Sequence, residues 1–360
     1  MPTNTNLQVI NPTAPGAMDI LNGMLLSNNS QRFRGFKSNQ RTQVYNSKLG
    51  IWMNSLLLKD EWEELDTAIV RAANTRLRLI GDLAAAGLTK RLGGIGTMIS
   101  QWNTASAMDA ATVSMDGRSQ GDADRVDYLL NAVPVPVIFK PYHFGSRELA
   151  SSRNSGDAIE TGHAQAAARV VVERLEAIGV NGLSGFQFNS QLIYGLTNHP
   201  DRNTGSGSDW GTVANVLTTV SAMISAAETD NHFGPYTLYA ARTQFSQAKN
   251  SFFTDGSGDT PYDRVLRMTG ITAFKPLDDL ADGSCVLVQM DPEVIDLAFV
   301  PGFGFGNPDE TGVTPINGVT NLEWMSGDGM TTFHKALTIA TVRVKSRYDG
   351  KSGVVHYTSI

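Results

Sequence analysis

From Asp60 the apolar positions Trp62, Leu65, Ile69, Ala73, Leu77, Ile80 and Leu83 recur at steps of three and four, the period of one helical face. Asp60 with Glu63 three residues on makes a capping pair, and the Gly-rich run Leu92-Gly93-Gly94-Ile95-Gly96 is expected to stop the helix. A second helix is expected over Thr161 to Ile178, with Ala164, Ala168, Val171, Leu175 and Ile178 in line, Arg169 and Glu173 paired across one turn, and Gly179 placed to end it. Residues 210 to 229 give a third amphipathic helix.

Between the first two helices the period changes to two. Ala111-Thr112-Val113-Ser114-Met115, the turn residues Asp116-Gly117, and the runs Val126 to Leu130 and Val133 to Phe139 predict a long hairpin with a charged tip. Its residues are polar on both faces, so it is expected to project and pair with another chain. Further strands are expected at Tyr236 to Ala240, Ile271 to Phe274, Cys285 to Gln289, Val294 to Val300, Leu322 to Met325 and Thr331 to Lys345. Asp349-Gly350 then predicts a hairpin turn into Val354 to Tyr357. The fold class is α+β, without internal repeat or sustained heptads.

The segment from Met1 to about Ser47 has no period of useful length and reads as an extended arm. Met1 to Leu58 holds five basic residues (Arg32, Arg34, Lys37, Arg41, Lys48) against the single acid Asp19. The whole chain of 360 residues carries a net charge of -6, so the remainder stands at 24 minus 34, or -10. That balance argues against a broad phosphate-neutralising surface and leaves genome contact local. The first thirty residues have no Lys or Arg and no continuous apolar stretch, and no run of about 18 apolar residues follows. A protein made in the cytoplasm, with no membrane partner, is expected.

Candidate chemistry thins out on inspection. Gly302-Phe303-Gly304-Phe305-Gly306 lacks the Lys-Ser or Lys-Thr of a phosphate loop, and Gly93, Gly94 and Gly96 follow a helix where a dinucleotide site follows a strand. Gly182-Leu183-Ser184-Gly185 is one residue short of a serine elbow. His143, His163, His199, His232, His334 and His356 never fall three or four apart, which removes a helical metal pair. The lone Cys285 lies in an apolar run and reads as a buried structural thiol. No catalytic residue, cofactor or metal is assigned. Asp116, Asp122, Asp124 and Asp127 have Arg118 and Gln120 where a calcium loop needs oxygen ligands, so a solvated tip is the plain reading. The sharper one is an intersubunit salt-bridge patch of Asp116, Arg118, Asp122, Asp124 and Arg125.

Several segments, taken in order, resemble the HK97-fold shell proteins, the major capsid proteins of tailed bacteriophages and the related encapsulins. Leu58-Lys59-Asp60-Glu61-Trp62-Glu63-Glu64-Leu65-Asp66 is similar to the Trp-containing helix start of encapsulin-like proteins. Pro134-Val135-Pro136-Val137-Ile138 through Arg147 and Asp157 into the Ala164 to Gly179 helix resembles their hairpin return and spine helix. Gly185-Phe186 up to Ile193-Tyr194-Gly195-Leu196 resembles a family connection with a longer insertion. Phe233-Gly234-Pro235-Tyr236-Thr237-Leu238, followed by Tyr262, Arg264-Val265, Ile271 and Pro276, resembles the family as well.

The resemblance covers about residues 58 to 360. It implies an N-arm (1–58), a P-domain helix and connection (59–99), an E-loop (100–150), a spine helix (151–189), an A-domain (190–330) and C-terminal P-domain strands (331–360). It implies a non-enzymatic capsid subunit located in the virion, a homo-oligomer of pentamers and hexamers enclosing DNA held non-specifically. A separate scaffolding protein, a portal and a possible decoration protein are the implied partners. An encapsulin-type compartment holding cargo protein is the alternative, and the 58 residues before the Trp helix favour the capsid. Lys140 lies on the expected hairpin without an identifiable acceptor, so no crosslink is assigned.

Overall fold

The computed structural model describes residues 42–46, 51–55, 78–113, 115, 118, 123–145, 147–148, 151, 162–253, 258–301, 319–325 and 331–360. Their backbone runs β1 (Thr42–Asn46), β2 (Ile51–Ser55), α1 (Leu79–Ala85), β3 (Thr89–Arg91), β4 (Ile99–Ala105), β5 (Tyr128–Pro134), β6 (Val137–Gly145) and α2 (Gly162–Asn181). There follow β7 (Leu183–Phe188), β8 (Gln191–Ile193), β9 (Asn203–Ser206), α3 (Val213–Thr229), β10 (Tyr236–Ala240), α4 (Arg242–Asn250), α5 (Pro261–Leu266) and β11 (Ile271–Pro276). The chain closes with β12 (Ser284–Gln289), β13 (Ile295–Phe299), β14 (Thr320–Met325), β15 (Thr331–Val344) and β16 (Val354–Thr358).

β15 organises the first half of the molecule. One of its edges pairs antiparallel with β6, from Thr331↔Gly145 to Ile339↔Val137. The other is shared by β14 along Thr332 to Leu337 and β13 along Ala340 to Val344, with β3 parallel to β13. α2 lies against β6 and β15 and buries its expected line, Ala164, Ala168, Val171, Leu175 and Ile178. Gly179 does not end this helix. A Cβ there would stand 3.0 Å from a Val342 methyl and 3.3 Å from a Leu79 methyl, so the glycine lets α2 approach the sheet and α1. The stop falls at Gly182, whose φ of 67° suits a residue without a side chain.

A second sheet has the order β11-β10-β12-β16-β9. All five residues of β10 and all six of β12 are buried, the pattern of strands covered on both faces. Tyr239, Val286, Val288 and Val354 join the core under α1 and α2, while Leu238, Ala240, Cys285, Leu287 and Val355 join a second core with α3, α4 and α5. Cys285 is buried as expected, its sulfur 3.4 Å from that of Met223, and burial pushes its thiol pKa up.

Three further expectations need correction. Within the described residues the first helix is seen as α1, and it ends ahead of the Leu92–Gly96 run. Gly87 turns the chain at φ 72° and Leu88 donates its N–H to Leu83 O at 2.8 Å, because β3 must straighten to reach β13. The part expected over residues 60 to 77 lies outside the described residues. The hairpin exists, but its first strand is Ile99–Ala105, paired with Tyr128–Pro134, while 111–113 are not strand. β16 does not fold back on β15. The Asp349-Gly350 turn forms, but β16 crosses beyond it to pair with β12 and β9. Of the expected arm (1–58), residues 42–46 and 51–55 are described, and there β1 and β2 pair antiparallel, Thr42↔Ser55 to Asn46↔Ile51.

Candidate assembly surfaces

The hairpin β4/β5 is fixed at one end only. Near its base Ser100 and Val133 are buried, and Arg343 of β15 donates to Ser100 Oγ at 3.0 Å while its guanidinium lies 5.3 Å from the Trp102 ring. Asp296 of β13 accepts from Arg343 Nε at 2.6 Å and from Nη2, and pairs with Lys345 at 2.7 Å. Lys345 also donates to Pro292 O at 2.6 Å. A buried ion cluster thus ties two core strands to the root of the hairpin.

Towards the tip the hairpin is bare. Tyr128 is 71% exposed, Val113 94%, and Met108, Leu129 and Leu130 at least half. Among the described loop residues, Asp124 accepts from the N–H of Asp109 at 2.8 Å and of Arg125 at 2.6 Å, and Asp127 N–H donates to Ser106 Oγ at 2.9 Å. Of the expected patch, Arg118, Asp124 and Arg125 are exposed on this loop. Asp116, Asp122, Arg32, Arg34, Lys37 and Arg41 lie outside the described residues.

A second bare surface is the face of β14-β15-β6 that turns away from α2. Trp324 stacks on Phe333 with ring centres 5.7 Å apart, and Lys335 Nζ sits 4.4 Å from the centre of the Phe139 ring and 5.6 Å from that of Trp324. Phe139 and Val137 are each 52% exposed. On the opposite face of β15, His334 is buried, stacked on Tyr142 at 5.0 Å and edge-on to Phe144 at 5.2 Å, and burial pulls its pKa down to about 4. One face is packed inside the protein, and the other is exposed to solvent.

At the junction of α1, α2 and the second sheet, the carboxylate of Glu176 accepts backbone N–H groups from Arg78, Leu79 and Ile80. Burial pushes its pKa up to about 7, against the pull of those three donors. Asp82 of α1 accepts from Tyr239 OH at 2.8 Å and from Lys275 Nζ at 2.6 Å.

Sequence reasoning missed Ser100, Trp102, Glu176, Asp296 and Arg343. The signal was present: Asp296 and Arg343 are lone charges inside apolar strand runs, and Glu176 stands beside Leu175 on the helix face that is otherwise apolar. Among the described residues no three His, Cys, Asp or Glu side chains cluster to hold a metal, and no helix is long and apolar enough to cross a membrane.

The geometry has known counterparts. A virus-like particle from Pyrococcus furiosus superposes with a TM-score of 0.57 over 82% of this chain and 98% of its own, at 16% identity. The capsid of Myoviridae phage XM1 gives 0.57 over 78% and 92% at 11% identity, and Microbacterium phage Oxtober96 gives 0.50 over 77% and 91% at 12%. The protein therefore has the HK97-like α+β fold of phage capsid and virus-like-particle subunits. By sequence the chain belongs to a family of unknown function (DUF6260), which matches residues 51–299. No curated protein matches it.

Proposed function

We propose that the chain is the major capsid protein of a tailed bacteriophage, a non-enzymatic subunit that assembles as pentamers and hexamers into an icosahedral shell around non-specifically held DNA. The observation that carries this reading is the β4/β5 hairpin, anchored at its root by a buried ion cluster and bare of apolar cover at its end. A closed shell needs each subunit to meet several copies of itself, and a projecting hairpin adds interface without enlarging the core. The fold shared with phage capsids supports the same reading. In this scheme residues 1–58 are the arm and 100–150 the E-loop. The spine helix and the strands after 331 form the P-domain, and 190–330 the A-domain. Arg32, Arg34, Lys37 and Arg41 tie the arm to neighbouring subunits or to the genome, while Asp116, Arg118, Asp122, Asp124 and Arg125 fix hairpin register. Scaffolding, portal and decoration proteins are the partners, and the particle forms in the host cytoplasm.

The second reading is an encapsulin-type compartment, favoured by the near-complete match to the Pyrococcus virus-like particle. Electron microscopy of native particles decides between them. DNA and a tail vertex are expected; closed particles filled with protein and free of DNA establish the compartment. A chain that stays monomeric with and without a scaffold under all assembly conditions overturns both.

A further inference from the structure

We propose that Arg343 is the positioning residue of the β4/β5 hairpin: its planar guanidinium, docked on Asp296, fixes through Ser100 and Trp102 the direction in which the hairpin leaves the body. Asp296 and Arg343 face each other across β13 and β15, and the carboxylate accepts from both Nε, at 2.6 Å, and Nη2. A planar guanidinium held by two of its donors on one carboxylate leaves its third donor a single direction. Nη1 meets Ser100 Oγ there, 3.0 Å away. The same guanidinium lies 5.3 Å from the centre of the Trp102 ring. Ser100 and Trp102 occupy successive inward positions of β4, with Gln101 exposed between them. One rigid group therefore meets the strand twice, and with Arg343 3% and Asp296 6% exposed the bracket itself belongs to the core.

The legs of the hairpin leave its direction open. The leg into β4 runs through Gly93, Gly94 and Gly96, with Gly94 at a φ of 136°, a backbone without the stiffening of a Cβ. The leg out of β5 is Pro134-Val135-Pro136, where the two prolines have no N–H to give. Val135 joins the legs by donating to Met98 O at 2.9 Å, and it is buried with Val300, Leu337 and Ile339. One buried side chain of this kind holds a point and acts as a pivot. Beyond Trp102 the side-chain bonds run inside the hairpin, from Asn131 Nδ2 to Thr104 Oγ1 at 3.0 Å and from Asp127 N–H to Ser106 Oγ at 2.9 Å. They stiffen it as a lever without tying it to the body. β5 also passes beside β8, which is the rival restraint.

A lever whose direction is set before a neighbour arrives has less freedom to lose on docking, and every subunit offers it at the same angle. That consequence rests on the proposed shell role. The direction itself is a property of the single subunit and is measured there.

The test is the distance between spin labels at Asn103→Cys in β4 and Ser221→Cys in α3, both exposed positions, in unassembled full-length subunits; Cys285 is buried and stays in place. A single narrow distance distribution is expected. Ser100→Ala combined with Trp102→Leu removes the hydroxyl and the indole while keeping the Asp296–Arg343 pair, and should widen the distribution roughly twofold. Arg343→Lys, which keeps the charge and loses the fork, should do the same. Leu287→Ala, which weakens the second core and touches neither leg, should leave the width unchanged. A distribution already broad in the labelled parent, or one that stays narrow in either variant, overturns the proposal and hands the direction to β8 or to no restraint at all. Equal widening in Leu287→Ala overturns it as general loosening. The double variant decides alone should Arg343→Lys not fold, and since no particle is needed, failure of the shell reading leaves the outcome standing.

Discussion

Asp296 occupies the second position of a five-residue strand that is otherwise Ile, Leu, Ala and Phe, and it is 6% exposed. A lone carboxylate in such a place is tolerated only because Arg343 and Lys345 neutralise it and Ser100 takes up another guanidinium donor. Removing it leaves two cations in the interior. Asp296→Ala should therefore cost roughly 3–5 kcal/mol in urea unfolding of unassembled subunits. The double variant Asp296→Leu, Arg343→Met should lose much less, because the buried charge goes with its partner and Lys345 keeps Pro292 O. An Asp296→Ala variant within about 1 kcal/mol of wild type would show that water reaches the cluster. The exposed Arg169–Glu173 pair is the contrast, worth at most about 0.5 kcal/mol on a helix surface.

The β4/β5 hairpin is one element with two unlike ends. Its root belongs to the ion cluster, but its outer strand residues and the loop beyond Ala105 contribute little to any core. Replacing residues 106–127 by an Asn-Gly turn should leave the thermal unfolding midpoint of the subunit nearly unchanged while abolishing closed particles in light scattering. A loss of subunit stability would place the loop inside the fold instead. The hairpin also marks the limit of what the sequence discloses. Elements with a strong pattern were legible: the buried line of α2, the amphipathic α3 and the fully buried β10 and β12 lie where the pattern puts them. β4 was not, because Ser100, Gln101, Asn103 and Thr104 hide a strand held by cross-strand pairing, while the β-prone 111–113 have no strand partner among the described residues. α5 is six residues long, and its capping box of Thr260 and Asp263 gives too short a period to stand out. Of the candidate surfaces, the charged tip was visible in composition, whereas the aromatic face of β14-β15-β6 arises only when Phe139, Trp324 and Lys335 meet across three strands.

At the scale of the molecule, two hydrophobic cores share a single sheet. Val286 and Val288 face the core of α1 and α2, Cys285 and Leu287 between them face that of α3, α4 and α5, and Tyr239 of β10 reaches across to Asp82. Neither core can open without stripping one face from β10 and β12, whose backbone hydrogen bonds serve both. Chains of this length commonly unfold through intermediates, so the shared sheet makes a distinctive demand. Unassembled subunits should unfold in one transition, with the calorimetric and van't Hoff enthalpies equal. The fluorescence of Trp210, buried in the second core, should follow far-ultraviolet circular dichroism. Leu175→Ala in the first core and Leu287→Ala in the second should each cost about 2–5 kcal/mol and move both signals together. If Leu287→Ala shifts the Trp210 signal alone, the cores are independent and the sheet belongs to only one of them. If the signals move as one, the two cores and the sheet between them unfold as a single body.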